Sequence, residues 1–438
     1  MTSPGGSPDQ DNGSSGGSDA SGGDATEIRT VAESELGDWG RAVNSGFMRG
    51  KGDGWLAYRQ SQFDPGRSLG AVHRGRFVGT FRSMDREITL PGGTPLLADA
   101  VTNVTVSATH RRRGLLTAMM TRGLAAAAER GNVIAVLVAS EYQIYGRYGF
   151  GPATGKQTYT VDALRAGDVR VPAEAGSGSF ELLTMEEWRG IGPGLHDRFR
   201  RTQPGAINRR PAEWGSTTGE QRFPDMDWQE PVVALYRDPS GNPAGILAYT
   251  VTDPWPNLLA KGTVSVREHY AVDRAASAAL WRYALNIDWI DRLVIPSIAP
   301  DDPLPLLLDN PRACVDGGDS SADFMWLRVL DAPTAFSART YAAPGRVVLQ
   351  VSDRMGHVDG RFAIEASADG TGLCTRAAPT EAADVAMDAS VLGTLCLSSQ
   401  PPARLHAAGQ LTELRPGAVS RLGSLLHTDF RPWCPEDF

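Results

Sequence analysis

The sequence predicts a mixed α/β and α+β protein with three folded units behind a short polar tail. Three observations predict it. The chain has 438 residues, which at roughly 150 residues per domain means about three domains. Hydrophobic residues make up 41% of it and charged residues 21%, enough apolar material for several cores. Strand-like runs and helical periods follow the order strand, strand, strand, helix, strand, and do so twice.

Residues 1–25 are rich in Gly and Ser and carry Asp9, Asp11, Asp19 and Asp24 with no Lys or Arg. Such a segment buries too little apolar surface to offset its ordering entropy and is expected to be disordered. The first unit, 26–154, opens with a helical period over Val31–Arg49. Ser68–His73 and Arg76–Phe81 flank Arg74–Gly75 as a hairpin. Arg86–Leu90 and Leu96–Val106 flank a Pro-Gly-Gly-Thr-Pro turn. An Ala- and Leu-rich helix follows over Leu115–Arg130. Asn132–Ala139 is a strand covered on both faces, and Gln143–Tyr148 is a short helical segment.

The second unit, 155–310, repeats this order. Val232–Tyr236 and Ala244–Val251 flank a Pro- and Gly-rich turn, and Gly262–Ala271 is a strand. Asp273 is placed to cap a helix running to about Asp288. Leu293–Ile298 is a further strand, which Pro296 confines to an edge or to its first half. The repetition implies an internal duplication. After a Pro-rich loop at Pro300–Pro311, the third unit, 311–438, pairs Arg346–Val351 with Gly360–Ala366. Helical stretches follow around Val385–Leu395 and Ala418–Leu426, an α+β module without a catalytic motif.

The net charge of −8, with no basic domain, argues against nucleic acid as the main partner and is compatible with a cationic substrate. Neither a signal peptide nor an apolar run of membrane-spanning length is present, so no membrane insertion is expected. Cys314, Cys374, Cys396 and Cys434 make no CxxC and read as free thiols in a reducing cytoplasm. The seven histidines show no metal-ligand spacing, and no metal is expected.

Chemistry concentrates in Val104-Thr-Val-Ser-Ala-Thr-His-Arg-Arg-Arg-Gly-Leu-Leu116. A strand ends there and a basic, glycine-containing loop opens a helix. Unsatisfied N–H groups at a helix start bind phosphates. Gly114 lets backbone approach an anion, and Arg111, Arg112 and Arg113 add forked donors. His110 reads as structural.

This segment resembles the acetyl-CoA loop of the GNAT superfamily of N-acetyltransferases. Together with Ala139-Ser-Glu-x-x-Ile-Tyr-Gly-Arg-Tyr-Gly-Phe-Gly-Pro-Ala153, it resembles the enhanced intracellular survival (Eis) family. Leu116 stands where the wider superfamily has a small residue. The resemblance implies tandem GNAT-like domains, the second without a cofactor site, then a sterol-carrier-like domain. It also implies direct acetyl transfer from acetyl-CoA to an amine in a homo-oligomer, a hexamer by family analogy. Val104, Thr105 and Val106 would hold the pantetheine and polarise the carbonyl. Arg111, Arg112, Arg113 and Gly114, with Leu115, Leu116 and Ser140, would complete the cofactor site. Tyr145 matches the family's general acid, and the terminal carboxylate of Phe438 matches its base. Phe47 and Trp55 match an aromatic wall of the acceptor pocket, where Glu436 and Asp437 would hold a cationic amine. Ser45 and Asn103 stand where an acid and an aromatic are expected in better-known relatives, so the resemblance does not imply that this chain shares their acceptor preference.

The acceptors implied are aminoglycosides, polyamine-like molecules and lysine side chains. Two other readings remain open: a lipid-binding or scaffolding protein acting through the third domain, and an acyltransferase preferring a longer acyl-CoA.

Overall fold

The computed structural model describes residues 25–49, 60, 63–173, 177–222 and 227–438. The expectations for residues 1–24 and for Trp55 lie outside these. Among the described residues the chain forms three sheets.

The first sheet orders its strands Glu27–Thr30, Ser68–His73, Arg76–Thr89, Pro95–Val106, Ile134–Val138, Met325–Val329 and Gly151–Pro152. Its first hairpin turns on Arg74 (φ 48°) and Gly75 (φ 72°), the two left-handed positions of a type I′ turn. The runs read separately as Arg76–Phe81 and Arg86–Leu90 are one strand of 14 residues. Helix Leu115–Glu129 turns Leu115, Met119, Met120, Leu124 and Ala127 onto one face of this sheet, against Phe81, Val101 and Leu137. The alternate residues Met84, Ile88, Ala98, Ala100, Ile134 and Val136 point to the other face, as the two-residue period of a strand requires.

The second sheet orders Cys314–Asp323, Gly155–Asp162, Ile290–Ile298, Gly262–Ala271, Pro243–Thr252, Val232–Arg237 and Ser179–Leu183. Asp273 caps helix Arg274–Leu285, accepting from the Ala276 N–H at 2.8 Å. Ile290–Ile298 lies inside this sheet, so Pro296 does not confine it to an edge. The proline is accommodated because the register with Gly155–Asp162 breaks between Ile295 and Ile298, and the parallel pairing with Gly262–Ala271 covers only Ile290–Val294.

The third sheet orders Gly372–Arg376, Gly360–Ala366, Gly345–Ser352, Val385–Asp388 and Leu411–Glu413. Val385–Asp388 is a strand parallel to Gly345–Ser352, not the start of a helix, which spans Ala389–Cys396. Val347, Leu349, Phe362, Leu392 and Leu395 of this module pack with Met84, Ile88, Ile134 and Val136 of the first sheet in one cluster, so the two share a core.

A division at residue 310 does not follow the sheets. Cys314–Asp323 pairs with Gly155–Asp162 in the second sheet. Met325–Val329 then returns to the first sheet, where Met325 pairs with Val138 and Val329 with Ile134. The chain therefore crosses between the first two units twice, and the third sheet starts at Gly345.

Candidate active site

Strand Pro95–Val106 pairs in parallel with Ile134–Val138 only from Ala98 to Val101. Beyond Val101 the two strands part, and Pro95–Val106 keeps Arg76–Thr89 as its neighbour. A bulge accompanies the parting. Thr80 pairs with Thr105 and Arg82 with Thr102, so Phe81 faces both Asn103 and Val104. Asn103 takes φ 53°. The buried Thr80 hydroxyl donates to the Asn103 carbonyl at 2.8 Å and lies 2.7 Å from the Thr105 hydroxyl, which is then the donor of that second bond. The outward edge beyond Val101 is a place where another extended segment can pair with backbone.

The end of helix Leu36–Gly46 closes on this edge. A Cβ at Gly46 would stand 2.4 Å from the Thr105 Cβ, so glycine is what permits the approach. Phe47, the next residue, packs with Val31, Leu36, Trp39 and Val43, and the Arg49 guanidinium lies 5.3 Å from its ring centroid. Thr80 and Gly46 escape a reading of the sequence. A threonine in a strand and a glycine at a helix end are common, and only the fold brings both against Thr105.

The loop that follows is shaped by two left-handed residues, Arg112 (φ 63°) and Gly114 (φ 76°), a backbone that turns successive N–H groups into one concavity. A Cβ at Gly114 would meet nothing within 4 Å, so its backbone angle, not crowding, calls for glycine. Helix Leu115–Glu129 starts with no side-chain cap and no acid in its first turn, leaving its first N–H groups and positive end open. Arg111, Arg112 and Arg113 are exposed and pair with no acid among the described residues. These features fit a phosphate-bearing ligand. His110 is tied into the turn, its Nδ1 2.8 Å from the Thr109 hydroxyl and its ring 4.9 Å from that of His73. Desolvation, Arg113 and His73 hold its pKa below the ordinary histidine value.

Tyr145 ends helix Tyr142–Tyr145, buried among the helix-face residues and edge-on to Phe150 at 6.3 Å. Its hydroxyl makes no hydrogen bond among the described residues. Burial first, then Tyr148 and Glu141, push its pKa up to about 12. Tyr148 differs: its hydroxyl lies 3.1 Å from that of Thr117, tying it to the neighbouring helix. Leu116 is half-buried against the helix-face cluster, and Ser140 and Glu141 are exposed ahead of Tyr145.

The last residues have no regular structure, yet Trp433, Cys434 and Glu436 are buried. Phe438 packs against the core shared by the first sheet and the third module, and its N–H donates to Asp437 Oδ1 at 2.9 Å. Asp437 is exposed. Glu436, expected beside it as a contact for an amine, is engaged internally, 2.6 Å from His196 Nε2 and 3.3 Å from Arg209 Nε. Burial alone raises a carboxyl's pKa, but His196 and Arg209 outweigh it and hold Glu436 below the usual carboxylate range. Tyr145 thus packs on one face of the first sheet and Phe438 on the other.

The GNAT acetyltransferase domain model matches residues 27–153, a second GNAT acetyltransferase model matches 205–329, and a sterol carrier protein domain model matches 332–435. An uncharacterized N-acetyltransferase of Streptomyces avermitilis is 43% identical over 419 residues, spanning 95% of this chain and 99% of that protein. N-acetyltransferase Eis of Mycobacterium tuberculosis is 35% identical over 369 residues, 82% of this chain and 85% of its own. The crystal structure of Eis1 from Mycobacterium abscessus aligns with a TM-score of 0.81 at 30% identity, over 94% of this chain and 100% of that one. Fold and relatives together define an N-acetyltransferase of the GNAT superfamily, whose acetyl donor is acetyl-CoA. Within it, the chain belongs to the Eis family. No helix among the described residues is long and apolar enough to cross a membrane.

Proposed function

We propose that the first unit holds acetyl-CoA along the open edge of Val104–Val106 and transfers its acetyl group directly to a primary amine. The observation that carries this reading is the junction itself: a strand edge open on its outer side runs into an uncapped helix start, in the cluster that holds a buried tyrosine whose hydroxyl makes no hydrogen bond among the described residues. Acetyl-CoA supplies the activated thioester. Backbone groups of Val104, Thr105 and Val106 pair with the pantetheine and polarise the acetyl carbonyl. Arg111–Gly114, with the N–H groups of Leu115 and Leu116, bind the pyrophosphate, and Ser140 lines the far strand's end. The terminal carboxylate of Phe438 takes the amine's proton, directly or through water, as nitrogen attacks the carbonyl. The Tyr145 phenol gives its proton to the sulfur as the carbon–sulfur bond breaks. Phe47 supplies an apolar wall and Asp437 a negative charge for the acceptor, which is an aminoglycoside, a polyamine-like molecule or a lysine side chain. The four cysteines, all free, fit a cytoplasmic protein, and the family likeness points to a homo-oligomer, a hexamer.

Calorimetry with coenzyme A checks the cofactor site. The second unit's strand-to-helix junction carries Glu268, ion-paired with Arg209 at 2.6 Å, and its helix start is capped by Asp273, both unfavourable to an anion. One coenzyme A is expected per chain. Replacing Arg111 and Arg112 together by Ala should weaken its binding about 10–100-fold, as for lost charge-assisted hydrogen bonds. A stoichiometry of two, or an unchanged affinity, contradicts the assignment.

Thiol release across a library of amines tests the function. Acetyl-CoA is expected to support faster turnover than propionyl- or malonyl-CoA. The reverse order supports a longer-chain acyltransferase. The third module bears a groove of about 810 Å³ with Ser398, Gln400, Arg404 and His427 in its lining. Co-purified lipid without any thiol release would favour the lipid-binding reading.

A further inference from the structure

Two residues separate Glu436 from the end of the chain, and the basic groups that hold its carboxylate, His196 and Arg209, come from the second acetyltransferase-like unit, while the Cys434 thiol donates to its carbonyl at 3.3 Å and lies 3.9 Å from its Oε2. His196 stands on helix Met185–Arg200, its ring surrounded by Phe199, Trp214 and Tyr270 at 5.7–6.0 Å. Its Nε2 meets Glu436 Oε1 at 2.6 Å. Arg209 reaches the same oxygen at 3.3 Å and is itself held by Glu268 at 2.6 Å, with its guanidinium 5.0 Å from the Trp214 ring centroid. The side chains of Glu436, His196 and Arg209 are each more than nine-tenths enclosed, and that of Glu268 is 19% exposed.

The preceding residues are fixed to the same unit. The Arg431 N–H donates to Asp301 at 2.7 Å, the Trp433 N–H to the Pro204 carbonyl at 2.9 Å, and the Trp433 indole to Ser297 at 3.3 Å. Chain ends ordinarily fray because few contacts repay the entropy of ordering them. This one carries a buried ion cluster at its third-last residue. Beyond it, the chain reaches roughly 7 Å at most, and Phe438 turns back onto the core of the first sheet.

We infer that the second unit, in place of a cofactor site, acts as a clamp that positions the chain terminus, with Glu436, His196 and Arg209 as its lock. The inference rests on the reading that the Phe438 carboxylate is the base. In that reading Glu436 is a positioning residue: it touches neither substrate nor cofactor and acts through where it leaves the last carboxylate. It also gives Glu268 a purpose, since the acid that makes the second junction unfit for phosphate is the one that aims Arg209.

The test is a double-mutant cycle on the full chain, reading kcat and acetyl-CoA affinity. Glu436→Gln keeps the side chain's size and removes its charge. His196→Asn serves as a second route to the same lock if the first variant does not fold. Either change is expected to lower kcat about 10–100-fold, the scale of a small misplacement of a reacting group, with acetyl-CoA affinity unchanged. In a chain lacking Phe438, the same change is expected to cost nothing further. A normal kcat in the lock variants, with a large loss on deleting Phe438, overturns the clamp and leaves the terminal base standing. Additive losses overturn the clamp as well, because Glu436 then acts independently of the terminus. If neither the lock variants nor the deletion lowers kcat, the terminal-base reading itself fails, and the clamp with it.

Discussion

A chain extended past Phe438 by a tag should turn over on the order of 10²–10⁴-fold more slowly, the usual loss on removing a general acid or base. Extension converts the terminal carboxylate into an amide, which accepts no proton near neutral pH. Deleting Phe438 acts differently: it moves the carboxylate back by one residue, roughly 3.5 Å, and removes a ring that packs on the shared core. Both routes should reach a similar rate. Acetyl-CoA affinity should hold in each, because the Arg111–Gly114 loop is far along the chain and makes no contact that either change removes. Loss of rate and affinity together would instead indicate damage to the fold. Normal rates in the tagged chain would move the search for a base to Glu141, exposed just ahead of Tyr145.

Tyr145→Phe should be the second large loss, again on the order of 10²–10⁴-fold in kcat. The ring stays against Phe150, and the hydroxyl makes no hydrogen bond among the described residues. Stability should therefore stay within about 0.5 kcal/mol of the parent. Tyr148→Phe is the control with the opposite pattern. It breaks the bond to Thr117 and should lower stability by about 1 kcal/mol with kcat nearly unchanged. The pH profile carries a further check. An acid must be protonated to act, and burial holds the Tyr145 proton to about pH 12. Its ionisation should therefore produce no falling alkaline limb in kcat/KM until pH approaches that value. A limb centred near the ordinary phenol range that vanishes in Tyr145→Phe would contradict the burial argument.

Features set by local signals were legible in the sequence, in both of the first two units. The left-handed pair Arg74–Gly75, the run from Val104 into an Ala-rich helix, and the Asp273 cap are each decided by neighbours in the chain, and each stands in the structure as read. Features decided at long range were not legible. Met325–Val329 looks like any short apolar run, and nothing in its period shows that it pairs with Ile134–Val138, nearly half the chain away. That one pairing is why a cut at residue 310 fails. Val385–Asp388 was absorbed into the Leu-rich helix behind it, since four residues are too few to separate a two-residue period from a helical one. Glu436 near a chain end reads as a solvated acid; its burial depends on His196 and Arg209, more than 200 positions earlier. The parting of the strands at Val101 and the bulge at Asn103, which leave the outer edge of Val104–Val106 open, leave no mark in hydrophobic periodicity at all. Gly46 and Thr80 gain their meaning only from that opening.

In the proposed reaction one amine and one acetyl-CoA meet in the first unit and react without an acylated protein between them. Initial rates of thiol release, measured while both concentrations are varied, test it most directly. Lines that intersect in the double-reciprocal plot, with no mass added to the protein by acetyl-CoA alone, are the predicted result. Parallel lines with a stable acetyl group on the chain, the signature of a covalent intermediate, would contradict it.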